Sequence, residues 1–440
     1  MLRSISLILL MTGPVALASG PTYYKDIVPV LQRNCQSCHR SGEAAPMSFL
    51  DYPSTRPWAK AIKSAVQVKK MPPWSADPNA SHKFANDRSL SEADRNTLIA
   101  WVDAGAPEGN SKDAPKPIDF VEGWNIGKPD VVYTMPHEFQ VPASGTVEYQ
   151  YVVIPTGLTE DKWVQMSEIR PSNRSVVHHV IAFIRPKGSK WLAEAQPGIP
   201  FVPGRDLRQL AAGPPDSQAD AQLRAGQILP GEMLVGYAPG MPAQVFEPGT
   251  AKLLPAGADL VFQLHYTAGG QETVDQSSVG LVFAKAPPQR RALTVTAANV
   301  FLAIPPGDPN YKVDAQITLR DDSEMVSLMP HMHVRGKDFV YKVVYPTGET
   351  STLLSVPKYD FNWQLIYLLD RPLALPKGSR IECTAHFDNS INNPYNPDPK
   401  ATVHFGDQTW DEMMIGFFDV TIPASTDPGN LFRVRQPTGD

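Results

Sequence analysis

At 440 residues the chain can hold about three domains of roughly 150 residues each, and 42% hydrophobic against 19% charged residues is enough for ordinary packed cores in all of them. A formal net charge of −5 excludes nucleic acid as a partner, because a phosphate-binding surface needs a cationic excess. The 44 prolines, spread along the whole chain, interrupt helices and central strands and predict short strands with many loops beyond the N-terminal region.

The first residues read as an address. Arg3 gives a positive start, Ile5 to Met11 an apolar run, and Ala16-Leu17-Ala18 a small-x-small site. Residues 1–18 are therefore expected to be a signal peptide cut after Ala18, which would make the mature chain periplasmic or secreted. A retained anchor is the alternative, although the run is short for a span. No later segment has 18 uninterrupted apolar residues, so no stable membrane span is expected.

Residues 21–108 read as helical. Tyr23 to Leu31 is apolar-periodic, and Trp58 to Val68 has helical spacing at Trp58, Ile62, Ala65 and Val66. Ser89-Leu90-Ser91-Glu92 suggests a helix start capped by Ser89. Leu98, Ile99 and Val102 would form its apolar face, and Gly105 with Pro107 would end it. Within this region Cys35-Gln36-Ser37-Cys38-His39 fits C-x-x-C-H, the c-type haem attachment pattern. Two thiols can bond the haem vinyl groups while the next imidazole lies under the ring as an axial ligand. A thioredoxin-type redox pair fits poorly, since no βαβ pattern surrounds it. For the sixth iron ligand, Met71 in Lys70-Met71-Pro72-Pro73-Trp74 is the candidate, because flanking prolines fix an extended loop and thioether sulfur raises the iron potential. Met47 and His82 compete, and Met71 could instead merely pack beside the haem. Cys383 is left as a buried strand residue.

Residues 106–119 are polar and proline-rich, and the linker is set at 109–122. Beyond it the period changes to two: Val147 to Ile154, Val176 to Ile184, Leu260 to Tyr266, Val279 to Phe283, Ala315 to Leu319, Phe339 to Tyr345, Arg380 to Phe387 and Met414 to Val420. Many short strands with turn signals indicate a β-sandwich or barrel class. The stretch is too long for one sandwich, so two are expected, 123–287 and 288–430, with a break near Lys285 to Arg291. Residues 205–227 look like a helical or irregular insertion.

Of the ten histidines, five fall in three tight contexts within the strand region. His178-His179 are neighbours, and neighbours on a regular strand point to opposite faces. Two ligands to one metal therefore demand a strand end, a twist or a bulge there. His265 in Gln263-Leu264-His265-Tyr266 is a weak signal alone. His331-Met332-His333 puts two imidazoles on one side of a strand, a strong metal signal. Trp410-Asp411-Glu412-Met413-Met414 could add a thioether, or its methionines could be core strand residues. Imidazole suits copper in both oxidation states and thioether favours copper(I). His82, His137, His386 and His404 read as structural or surface residues, with His137 also able to line a cleft.

From about residue 120 to 425, the motifs His178-His179, Gln263-Leu264-His265-Tyr266, His331-Met332-His333 and Asp411-Glu412-Met413, in that order, resemble the copper type II, ascorbate-dependent monooxygenases. That family includes the peptidylglycine α-hydroxylating and dopamine β-monooxygenases. The resemblance implies two all-β jelly-roll-type sandwich domains after the small all-α cytochrome c domain. It implies an electron-transfer copper on His178, His179 and His265. A catalytic copper would sit on His331, His333 and Met413, bind dioxygen and take a hydrogen atom from substrate, with the second electron crossing a cleft. Two departures stand out: the disulfides of the animal enzymes have no counterpart, and a segment resembling the c-type domains of bacterial exported proteins precedes the copper region. The resulting expectation is an exported monooxygenase with two copper ions and one covalent haem. Its partners are dioxygen, a small organic substrate and an external electron donor. The competing reading is a non-enzymatic haem and copper electron-transfer or copper-binding protein.

Overall fold

The structure, a computed structural model, describes residues 20–43, 45–79, 82–203 and 231–432. The expected signal peptide and the insertion at 205–227 lie outside the described residues. The chain divides into two compact units.

The first unit takes the described residues of 20–37, 47–72 and 90–118, and helices α1 (Val28–Asn34), α2 (Tyr52–Thr55), α3 (Ala59–Gln67) and α4 (Glu92–Asp103) fall in it. In α3 the buried residues are Ala59, Ile62 and Val66, one stripe at helical spacing. They pack with Tyr23, Ile27, Leu31, Leu98 and Trp101 in a single apolar cluster. The chain closes on itself where Tyr23 N and Trp101 Nε1 both donate to the Pro107 carbonyl at 3.0 Å. The cap of α4 corrects the sequence expectation: it is Ser91, whose hydroxyl accepts from Asp94 N at 3.0 Å. Ser89 lies two residues too early to reach those amides, and its own amide donates to Asp87. Glu92 and Asp94 in the first turn complement the helix dipole.

The second unit is built of β-sandwich-like sheets. Its first strands are β1 (Val131–Thr134), β2 (Phe139–Val141), β3 (Gln150–Pro155), β4 (Lys162–Arg170), β5 (Val177–Arg185), β6 (Glu232–Tyr237), β7 (Gln244–Val245), β8 (Thr250–Leu254), β9 (Asp259–Tyr266), β10 (Thr273–Asp275) and β11 (Ser278–Phe283). There follow β12 (Arg290–Ala298), β13 (Ala303–Ile304), β14 (Tyr311–Thr318), β15 (Ser323–His331), β16 (Gly336–Val344), β17 (Thr350–Val356), β18 (Tyr367–Leu375), β19 (Arg380–Phe387), β20 (Val403–His404) and β21 (Ile415–Pro423). Every stretch expected from alternation overlaps a strand, and Arg380–Phe387 has the same bounds. Cys383 is buried in β19, as expected.

The sheet β3-β9-β5-β6 buries Val152, Val180, Ala182, Leu260 and Phe262 against Val164, Ile169, Val279 and Leu281 of β4 and β11. The sheet β14-β19-β16-β17 buries alternate residues, among them Phe339, Tyr341, Ile381 and Cys383, together with Val295, Leu328, Phe418 and Val420. The partners in both cases belong to one nine-stranded sheet, β1-β11-β4-β8-β12-β21-β15-β18 with β7 on β4. The join is parallel: β8 meets β12 with Thr250 opposite Arg290 and Ala251 opposite Arg291. Two stretches from the N-terminal region, 38–46 and 73–89, belong to this unit. The second is held by Trp74 and Phe84, whose rings lie 4.8 and 5.4 Å from Tyr367, and by Ala85 N donating to the Leu368 carbonyl at 2.8 Å.

Candidate metal centre

The adjacent histidines meet the geometric demand that their spacing sets. Strand β5 runs antiparallel to β9 with Val177 opposite Tyr266 and His179 opposite His265, so the register shifts at His178. A bulge inserts one extra residue and re-aims its side chain, which brings both imidazoles to one side. His178 Nδ1 lies 3.1 Å from His179 Nδ1 and 3.3 Å from His265 Nδ1. One ligand atom from each of the three rings falls within 4.8 Å of the others, a group that could hold a metal ion. His265 Nε2 is engaged by Thr409 Oγ1 at 3.1 Å. Two aromatic rings clamp the trio: Phe361 stacks on His178 at 4.5 Å and Tyr149 on His265 at 4.5 Å.

The second pair is arranged differently from the expected regular strand. β15 ends at His331, opposite Ile415 of β21, and His333 lies past the ladder. The rings still meet edge to face at 5.3 Å. Glu412 holds this exit, accepting from the amides of His333 at 2.8 Å, Arg335 at 2.7 Å and Met413 at 3.1 Å. His333 Nδ1 donates to the Asp411 carbonyl at 3.2 Å, which makes Nε2 the lone-pair nitrogen. That Nε2 is buried without a hydrogen-bond partner among the described residues. His331 Nδ1 meets Gln364 Oε1 at 2.8 Å, so its Nε2 also carries a lone pair. Met413 and Met414 lie just before β21, next to Glu412 in sequence. Both are buried.

The two sets are not separated by a cleft, as the resemblance implies. The rings of His179 and His331 meet edge to face at 6.2 Å. Tyr149 and Phe361 touch both sets, lying 6.4 and 6.0 Å from His333. Five imidazoles thus gather in one cluster, four of them buried and His178 half-buried. Burial holds every ring neutral: His178 and His331 are lowered to about 4 and His333 to about 3, and His179 and His265 lie well below the ordinary value. Neutral rings keep their lone pairs available to a cation. Sequence pattern singles out none of Tyr149, Phe361, Gln364 and Thr409, because each stands alone in its own segment.

The haem-type motif divides between the units, with Cys35 in the first and Cys38 and His39 in the second. Cys35 ends α1 half-buried against the apolar cluster of the first unit, as does Met47. None of the cysteines is in a disulfide. Met71 is half-buried, and its amide donates to the Ala65 carbonyl at 3.4 Å. His82 is half-buried, with burial lowering its pKa. His137 and His404 are exposed, and His386 pairs with Asp338 at 2.7 Å.

No known protein family matches the chain, and no curated protein matches it. Among solved structures it is similar to the VP2 subviral particle of infectious bursal disease virus, at 10% identity over 69% of this chain and 74% of that one, with a TM-score of 0.20. It is similar to PNGF-II at 9% identity over 66% and 60% of the two chains, TM-score 0.23. PBCV-1 VP54, fitted into a reconstruction of the virophage Sputnik, is 9% identical over 70% and 98%, TM-score 0.19. Likenesses with TM-scores this low carry no argument about the site.

Proposed function

We propose that this is an exported copper monooxygenase, similar to the copper type II ascorbate-dependent enzymes. In this reading a small all-α cytochrome c domain precedes two jelly-roll-type sandwiches, and an external donor would supply the electrons. The observation that carries the reading is the convergence of His178, His179, His265, His331 and His333, from three distant stretches, into one cluster. The donors fit copper. Imidazole suits both its oxidation states and thioether favours the reduced one. His178, His179 and His265 would hold one ion through Nδ1. His331 and His333, through Nε2, and Met413 would hold the other. Bound copper supplies one-electron redox chemistry and activation of dioxygen. Cys35 and Cys38 would bond the haem and His39 and Met71 would ligate it, and the haem would supply a one-electron relay.

The chain's own residues have definable tasks. Burial keeps the imidazoles unprotonated, so metal binding needs no proton release near neutral pH. Gln364 and the Asp411 carbonyl fix which nitrogen of each catalytic-pair ring faces inward. Phe361 and Tyr149 immobilise the rings and exclude water. Glu412 ties the segment carrying Met413 to the segment carrying His333. The balanced reaction is R–H plus dioxygen, two electrons and two protons, giving R–OH and water.

The test is Met413→Ile. Loss of dioxygen uptake by at least 100-fold, with the haem spectrum intact, supports the reading. Unchanged uptake removes Met413 from the centre. A wild-type protein that binds copper but consumes no dioxygen with reduced haem is an electron-transfer or copper-binding protein instead.

A further inference from the structure

Strands β8, β12, β21 and β15 carry a polar row across the shared sheet. Lys252, only 1% exposed, donates to the Met233 carbonyl at 2.7 Å and to Thr294 Oγ1 at 2.9 Å. Thr294 Oγ1 donates to Asp419 Oδ1 at 2.6 Å, and Ser327 Oγ donates to Asp419 Oδ2 at 2.9 Å. The row floors a cavity of about 530 Å³, a size ordinary for small-molecule sites. Apolar side chains make most of the remaining wall, among them Met233, Val235, Met241, Met329 and Phe417.

The cavity ends next to the metal centre, at Met329 and Phe417. Met329 and His331 are residues i and i+2 of β15 and so share a face. The Phe417 ring meets His331 edge to face at 6.0 Å. Asp419 to Ile415, the residue opposite His331, is four strand residues, or roughly 13 Å at about 3.3 Å each. That is the length of a straight chain of about ten carbons with bonds near 1.5 Å.

Charge selects the occupant. Lys252 stands 3.7 Å from Asp419 and Arg290 2.8 Å from Glu324, so an anion finds these two cations already compensated. A carboxylate has about four acceptor positions. Thr294 and Ser327 make the close bonds to Asp419, while Gln244 lies at a longer 3.5 Å and Lys252 at 3.7 Å, so a ligand hydroxyl can take the place of the long Gln244 contact.

We infer that this cavity binds a neutral, mainly apolar molecule whose single hydroxyl meets Asp419 and whose far end lies beside His331, as the substrate class of the proposed oxygenase. The substrate role rests on that reading; the binding does not. Gly236 lines the cavity, and a Cβ placed on it meets only the flexible tips of Met233 at 2.8 Å and Met241 at 3.8 Å. Gly236→Leu should therefore fill the space at small cost.

The experiment titrates the full-length protein, without added copper, with 1-decanol and with decanoate by calorimetry. The inference expects decanol to bind at least 10-fold tighter than decanoate. Gly236→Leu should weaken decanol at least 10-fold while copper uptake stays unchanged. Met241→Trp, which fills the same space from the other wall, should do likewise and stands in if Gly236→Leu does not fold. No decanol binding, decanoate binding as tightly, or decanol binding unchanged in the filled variants overturns the inference. Selective decanol binding in a protein that consumes no dioxygen leaves the site standing and sinks only the oxygenase reading.

Discussion

Acid should weaken the copper-free protein through its buried imidazoles, and His331 allows the amount to be worked out. Its native pKa is about 4 because burial disfavours the charged ring, whereas in the unfolded chain it is near 6.5. The folded value is the lower one, so below pH 6.5 the unfolded chain binds more protons. The stability held by the neutral ring is complete above pH 6.5 and is lost as pH falls towards the folded value. Between pH 8 and pH 5 the unfolded ring protonates over about 1.5 units at about 1.36 kcal/mol each, a loss of about 2 kcal/mol from this one residue. Glu412 works the other way. Burial raises its pKa to about 7, so its native carboxyl takes up a proton in the same window and offsets part of the loss. Comparison with His331→Gln cancels that contribution, since Glu412 is present in both proteins. Urea unfolding of copper-free protein at pH 8 and pH 5 should show an acid loss about 2 kcal/mol smaller in the variant than in the wild type. A difference under about 0.5 kcal/mol would mean that the ring is not held neutral by burial, and the account of the centre's electrostatics would fail.

Glu412→Ala should destabilise the second unit by about 3–9 kcal/mol in the same assay, because three buried amides lose their acceptor at roughly 1–3 kcal/mol each. Gly416→Ala should cost about 1–3 kcal/mol by overpacking, since the added carbon would sit 2.5 Å from Cys383 Sγ and 2.9 Å from the Tyr341 ring; a neutral melting temperature would contradict the tight packing. Ser91→Ala should lower the stability of the helical unit by about 1 kcal/mol, read by circular dichroism, whereas Ser89→Ala should leave it unchanged. His179→Ala should reduce bound copper from two ions to one by metal analysis, and two retained ions would remove His179 as a ligand.

What was legible in the sequence was local. Period-two stretches fall on strands, and the His178-His179 pair foretells an irregularity that the structure supplies as a register shift. The helix start was misplaced by two residues, because Ser89 and Ser91 are both good caps and the choice depends on which one faces the first free amides. Other features were invisible for a physical reason. The join of β8 to β12, the seating of Trp74 on Tyr367, and the arrival of Tyr149, Phe361 and Gln364 at the histidines are contacts between distant segments. Pattern within one segment records that a side chain is apolar or polar, and it carries no information about which remote strand that side chain meets. The cleft was implied by the family resemblance and by no pattern within the chain, and folding sets the rings of His179 and His331 edge to face at 6.2 Å.

The parallel rungs Thr250–Arg290 and Ala251–Arg291 have a mechanical consequence. Because they join β8 to β12 within one sheet, the two halves share a continuous backbone ladder and not a tether. Only His331 ends a strand of that sheet, whereas His178, His179 and His265 sit on β5 and β9 of the sheet packed against it, so a widening between the two sets must open the packing between sheets and can leave the seam intact.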